Sequence, residues 1–127
     1  MVLVHQNRMS GLNGTILYEM YDGFSVSDEA GKYQLLLTGP ATGTLGDSMR
    51  SCQDLSGMYF STPDRDNDNN SVNCAATHDR RGGWWFNACH WAFLNGRWSP
   101  ARWSAPWSPT VTHGTSVNGT TMMVRRH

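Results

Sequence analysis

At 127 residues the chain is one domain's worth of polypeptide, enough to bury roughly two-thirds of its unfolded surface. Ten basic residues balance ten acidic ones, so no long-range field draws the chain to nucleic acid or to an anionic membrane, and both are excluded as partners on that ground. Six tryptophans, thirteen glycines and the single lysine Lys32 describe a loop-rich fold with aromatic anchors and argue against a helical bundle.

The N-terminal run MVLVHQNRMSG lacks the apolar core of a signal peptide, and nowhere are there eighteen consecutive apolar residues. No export signal is visible, which leads to the expectation that the sequence is a piece of a longer secreted protein. Residues Thr15 to Tyr21 are β-branched and aromatic, and Asp22-Gly23 before Phe24-Ser25-Val26 predicts a hairpin turn. Tyr33 to Thr38 is nearly continuous in apolar residues and predicts a central strand, ended by Gly39-Pro40. Gly43 to Gly57 is rich in turn formers, with a short helix expected over Asp47 to Cys52, capped by the Asp47 side chain. From Tyr59 onward the pattern is that of a long irregular loop, a feature that compact domains usually keep for function.

That loop carries most of the chemistry. Asp64, Asp66 and Asp68 alternate, so an extended backbone points their carboxylates to one side as hard oxygen ligands for calcium. An EF-hand begins this way, but its sixth position, a glycine in that motif, is Asn69 and its twelfth, a glutamate, is Ala75. A solvated polar turn is the competing reading of the same residues. Cys74 and Cys89 are open to three readings. Oxidised, they close a loop of about fifteen residues, worth roughly 3 kcal/mol in the chain-entropy picture. Reduced, they join His78 and His90 in a zinc site of irregular spacing, or Cys89 and His90 act as a nucleophilic pair. The disulfide ranks first, zinc second and catalysis third.

The segments FSTPDRDNDN, NCA, GGWWFNACH and LNGR, in this order, resemble the signature run of the fibrinogen-related domain, the C-terminal globular domain of fibrinogen chains, ficolins, tachylectins, tenascins and angiopoietins. The likeness continues weakly upstream through Tyr33 to Leu37 and Gly46-Asp47-Ser48 and begins near Leu12, so the family's N-terminal subdomain is expected to be missing. The resemblance implies an α+β fold: an antiparallel sheet, partly formed by residues 12–58, followed by a loop-rich, calcium- and disulfide-stabilised subdomain over 59–127. It implies Ca2+ held by the side chains of Asp66 and Asp68 and the main-chain carbonyls of Asn70 and Val72. It further implies a Cys74–Cys89 disulfide, and a ligand pocket at Ala88, Cys89 and His90, with a cis bond between Ala88 and Cys89.

Trp84-Trp85-Phe86 reads as a buried aromatic anchor before a ligand platform, on the size of these side chains. His90, next to a cysteine in the segment resembling a lectin pocket, reads as a ligand contact. After Gly96 the chain leaves the family pattern; Trp98, Trp103 and Trp107 either replace the missing pocket wall or pack, while Thr120 to Arg125 resembles the closing strand. Cys52 has no partner in the resemblance and is expected as a free thiol or an intermolecular link. Three sequons, beginning at Asn13, Asn69 and Asn118, matter only after export. The function expected is a non-enzymatic, secreted, calcium-dependent recognition module binding acetylated glycans in innate immunity, homo-oligomeric in its full-length form. Binding of a protein or peptide ligand is the rival, and a zinc or cysteine hydrolase is the reading from a different class.

Overall fold

Alternation decides the longest strand. In the computed structural model Glu19 and Tyr21 turn inward while Ile16, Tyr18 and Met20 face solvent, the period of two that pleated backbone imposes. The structure describes residues 16–77, 82–96, 106–112, 117 and 119–126, together with the backbone of 2–5. Four strands are present among them: β1 (Val2–His5), β2 (Ile16–Val26), β3 (Leu35–Gly43) and β4 (Gly119–Met122). They form one antiparallel sheet in the order β3-β2-β1-β4. β4 falls on the start of the Thr120 to Arg125 run expected as the closing strand, β1 lies ahead of the 12–58 segment expected to form part of the sheet, and the two pair side by side.

Three expectations need correction. Asp22-Gly23 is no turn: β2 runs through it, and the register shift between Tyr21 and Gly23 makes it a bulge. Glycine is required there because a Cβ on Gly23 would stand 2.0 Å from the Thr38 hydroxyl. The true connection spans residues 27–34, where Ser27 Oγ accepts from Gln34 N and Tyr33 N donates to the Asp28 carbonyl. Second, β3 is an edge strand, with Leu36 half exposed between buried Leu35 and Leu37. It continues through Gly39-Pro40 to Gly43, and an edge is where proline's missing N–H is tolerated. Its outer side is partly covered, because Leu35 N donates to the Met58 carbonyl, Gly57 N to the Leu35 carbonyl and Leu37 N to Ser56 Oγ.

Third, the fold is β and loop, without the α component, since no helix occurs among the described residues. Over 47–52 a single helical turn starts, with Ser51 N donating to the Asp47 carbonyl at 2.9 Å, and then stops. The Asp47 carboxylate, expected to cap a helix, instead accepts from Tyr21 OH and from Arg50 Nε, and Leu55 N closes back onto the Met49 carbonyl. Tertiary partners have captured the cap.

One core joins sheet and loops. Leu35 and Leu37 of the sheet share a single buried cluster with Leu45, Met49 and Leu55 and with Trp84 and Phe86 from the loops. Polar fasteners then tie the 45–48 turn to the 106–111 segment: Trp107 Nε1 donates to the Gly46 carbonyl at 2.8 Å, Thr110 Oγ1 to the Leu45 carbonyl and Ser48 Oγ to the Ser108 carbonyl. The same turn receives the buried Glu19 carboxylate, whose Oε2 accepts from Gly46 N at 2.9 Å. Burial pushes the Glu19 pKa up, the Gly46 and Leu45 amides pull against it, and the Asp47 charge adds to the rise.

Candidate functional site

The acidic loop is a set of side-chain to backbone turns. Asp68 Oδ1 accepts from Asn70 N and Oδ2 from Cys74 N, both at 2.8 Å, while Asp66 Oδ1 accepts from Asp68 N at 3.2 Å. Such short-range bonds are what Asp and Asn offer a loop that has no ladder. Asp64 departs from the alternation: Thr62 Oγ1 donates to it at 2.7 Å, which holds its carboxyl below the usual range. Asp66 and Asp68 are the pair that remains together.

Burial raises the Asp68 pKa first of all; the Cys74 and Asn70 amides lower it, and the neighbouring Asp66 raises it again. Among the described residues no three His, Cys, Asp or Glu side chains cluster to hold a metal, so an ion here needs carbonyl oxygens as well. Two carboxylates completed by the Asn70 and Val72 carbonyls are an all-oxygen set, which suits Ca2+ and not a softer metal.

The acidic loop is fastened to the turn that bears the other expected site residues. Cys74 and Cys89 form a disulfide with a Cα–Cα separation of 5.7 Å. Asn69 N donates to the Asn87 carbonyl at 3.2 Å, and Asn70 Nδ2 approaches Cys89 Sγ at 3.4 Å. The Ala88–Cys89 peptide bond is cis, and Asn87 N donates to the Cys89 carbonyl across it. From the other side Gln53 Oε1 accepts from Ala88 N, and Asn87 Nδ2 donates to the Asp54 carbonyl. Sequence reasoning missed Gln53 and Asp54, which lie 35 and 33 residues away from their partners in the chain and carry no motif.

Ala88 is exposed, Cys89 is buried and His90 half-buried, its ring 5.7 Å from that of Phe86 and 4.9 Å from that of Phe93. His90 thus packs on two phenyl rings. The zinc reading loses both thiolates to the disulfide, and His78 lies outside the described residues. Cys52 is free and exposed. The Asn69 amide is engaged with Asn87 Oδ1 and Met58 Sδ, which a glycan at the Asn69 sequon would displace; Asn13 and Asn118 lie outside the described residues.

Trp84 and Phe86 are completely buried, and Trp85 is nearly so, its Nε1 donating to the Tyr33 carbonyl at 2.8 Å. These are anchors, as their size predicts. Trp107 is also completely buried and packs. Trp98 and Trp103 lie outside the described residues.

Comparisons with known proteins bear on the family and the fold. The family model "Fibrinogen beta and gamma chains, C-terminal globular domain" matches residues 3–127, ahead of the Leu12 start expected from the motifs. Tenascin-R of Gallus gallus is 44% identical over 87 residues, which are 68% of this chain and 6% of that protein. Fibroleukin of Bos taurus is 43% identical over 95 residues, 71% of this chain and 20% of that protein. The solved fibrinogen-like globe domain of human ANGPTL6 superposes with a TM-score of 0.73 at 32% identity, over 94% of this chain and 52% of the other. The chain therefore spans about half of that solved domain, and a small part of the two curated relatives.

Proposed function

We infer the function from a premise now in place: the chain belongs to the family of C-terminal globular domains of fibrinogen β and γ chains, whose matched members are extracellular proteins. We propose that it is a secreted, non-catalytic recognition module that binds a protein or peptide ligand at the Ala88-Cys89-His90 turn. Ca2+ on Asp66, Asp68 and the Asn70 and Val72 carbonyls would order that turn from behind. One observation carries this reading. The acidic loop and the turn are a single unit, joined by the disulfide and by the Asn69 and Asn70 bonds, so an ion bound to the loop acts directly on the turn.

A calcium-dependent lectin for acetylated glycans is the second reading, and the His90 setting favours it, because a half-buried imidazole packed against the Phe86–Phe93 ring pair gives an apolar-backed surface that suits an acetyl methyl group. Against it, Trp84 and Trp107 have no exposed ring face for a sugar, which leaves the half-buried Trp91, next to His90, as the described indole with surface to offer at the turn. Besides His90 and Trp91, the groups at the turn are amides and the exposed backbone of Ala88, the chemistry of peptide binding. The test is binding to a peptide library and to a glycan array, each in calcium and in chelator. Calcium-dependent peptide capture is expected. Capture confined to acetylated glycans would move the conclusion to the lectin, and calcium-independent binding would remove the ion from the mechanism.

A further inference from the structure

A cavity of about 320 Å³ opens where the 29–33 turn meets the 60–65 hairpin, and it shares no residue with the turn or the ligands just discussed. That volume is the low end of what small-ligand sites use. Its frame is rigid. Phe60 N donates to the Lys32 carbonyl at 3.1 Å, Trp85 Nε1 to the Tyr33 carbonyl, and Thr62 and Arg65 exchange both backbone bonds at 3.0 Å. The Phe60 ring, set edge-on to Trp85 at 5.4 Å between centroids, forms part of the wall.

Two cations border this cavity. Lys32 and Arg65 are both exposed, and among the described residues the only ion pair is Asp47 with Arg50, so neither is paired with a described carboxylate. Lys32 Nζ lies 5.3 Å from the Tyr59 ring centre, a contact that leaves its N–H donors available. Asp64, also on the wall, is held by Thr62 Oγ1. Asn67 donates its Nδ2 to the Phe60 carbonyl, which fixes the amide. Lys32 and Tyr33 are in the left-handed region, at φ of 54° and 51°, and no other non-glycine among the described residues is. Such backbone persists where its surroundings fix it.

We propose that this cavity docks a carboxylate presented by an extended peptide, either its C-terminus or an acidic side chain, with Lys32 and Arg65 as the two donors and Tyr33 and Phe60 as the apolar wall. The charge count suits a monoanion: two positive groups against Asp64 leave one net positive charge, and a phosphate dianion would exceed it and be repelled by Asp64. Planar guanidinium at Arg65 suits the two oxygens of a carboxylate.

The Trp85 indole N–H reports on the cavity through its bond to the Tyr33 carbonyl, so its NMR resonance is the readout. The probes are three N-acetylated tripeptides: Gly-Ser-Phe as free acid, Gly-Ser-Phe amide and Gly-Glu-Phe amide. The free acid, the glutamate peptide or both should shift the resonance, identifying C-terminus or side chain as the source, while Gly-Ser-Phe amide should not. Lys32→Gln and Arg65→Gln should each weaken binding about tenfold, and Asp64→Asn should tighten it. All three sites are exposed, and a dispersed spectrum verifies the fold of each variant. Equal shifts by the neutral amide, unchanged affinity in both glutamine variants, or no shift from any probe up to about 10 mM would overturn the proposal.

Discussion

The sheet and the 59–96 segment solve the same problem by different means. In the sheet, backbone groups pair with each other and the side chains only choose a face, so one side of β2 leaves Ile16, Tyr18 and Met20 in solvent without harm. In the 59–96 segment there is almost no ladder, only isolated bridges such as Ser61 with Trp84, and the backbone groups are satisfied by Asp68, Asn73, Ser61 and Gln53 side chains. The contrast teaches where single substitutions bite. Loss of one exposed strand side chain leaves the ladder intact, whereas loss of one loop anchor removes both packing and the partners of several buried groups.

The largest expected effect tests that asymmetry directly. Trp84→Ala should cost about 3–5 kcal/mol, since Trp84 is completely buried against Trp85 and Phe93, while Leu36→Ala on β3 should stay within about 0.5 kcal/mol. Denaturant midpoints of the two variants decide it, and equal losses would break the comparison. Next comes the disulfide. Cys74→Ser together with Cys89→Ser should cost about 3 kcal/mol for a bridge that spans 15 residues. In parallel, thiol titration of the unfolded parent should find one reactive group, Cys52, before reduction and three after it.

Calcium should act more weakly, ordering the loop more than holding the domain. For extracellular sites with dissociation constants near 0.1–1 mM, about 1 mM calcium adds only about 0.4–1.4 kcal/mol. Thermal melts in calcium and in chelator measure the increment, which Asp68→Asn should abolish. A larger increment would mean that the ion also reaches the sheet.

The smallest effect is a pH slope from the sheet side. Glu19 has a folded pKa raised above its usual 4.5, so the stability it contributes is complete below about pH 4.5 and is lost as pH rises through the higher folded value. Glu19→Gln keeps an oxygen for the Gly46 N–H. It should therefore lose less stability than the parent between pH 4.5 and neutrality, as measured by urea midpoints across that range. Parallel slopes in the two proteins would place the titration elsewhere.

The local chemistry of the 59–96 segment was written in the sequence. Alternating aspartates, a cysteine pair and a Trp-Trp-Phe run are close together in the chain, and short-range bonds such as Asp68 to Asn70 and Cys74 need only that closeness. The anchors Trp84 and Phe86 followed from size alone. What the sequence could not decide was which distant segment each group would meet. Asp-Gly at 22–23 signals a turn only if the chain reverses there, and the pairing of Tyr21 with Ala41 and Gly23 with Thr38 made it a bulge instead. Apolar residues Leu35 to Leu37 promise burial, but the strand order left β3 at an edge and Leu36 in solvent. Asp47 was a helix cap until Tyr21 and Arg50 claimed its oxygens. In each case local preference is worth a kcal/mol or so, and a tertiary partner supplied by another part of the chain outweighed it.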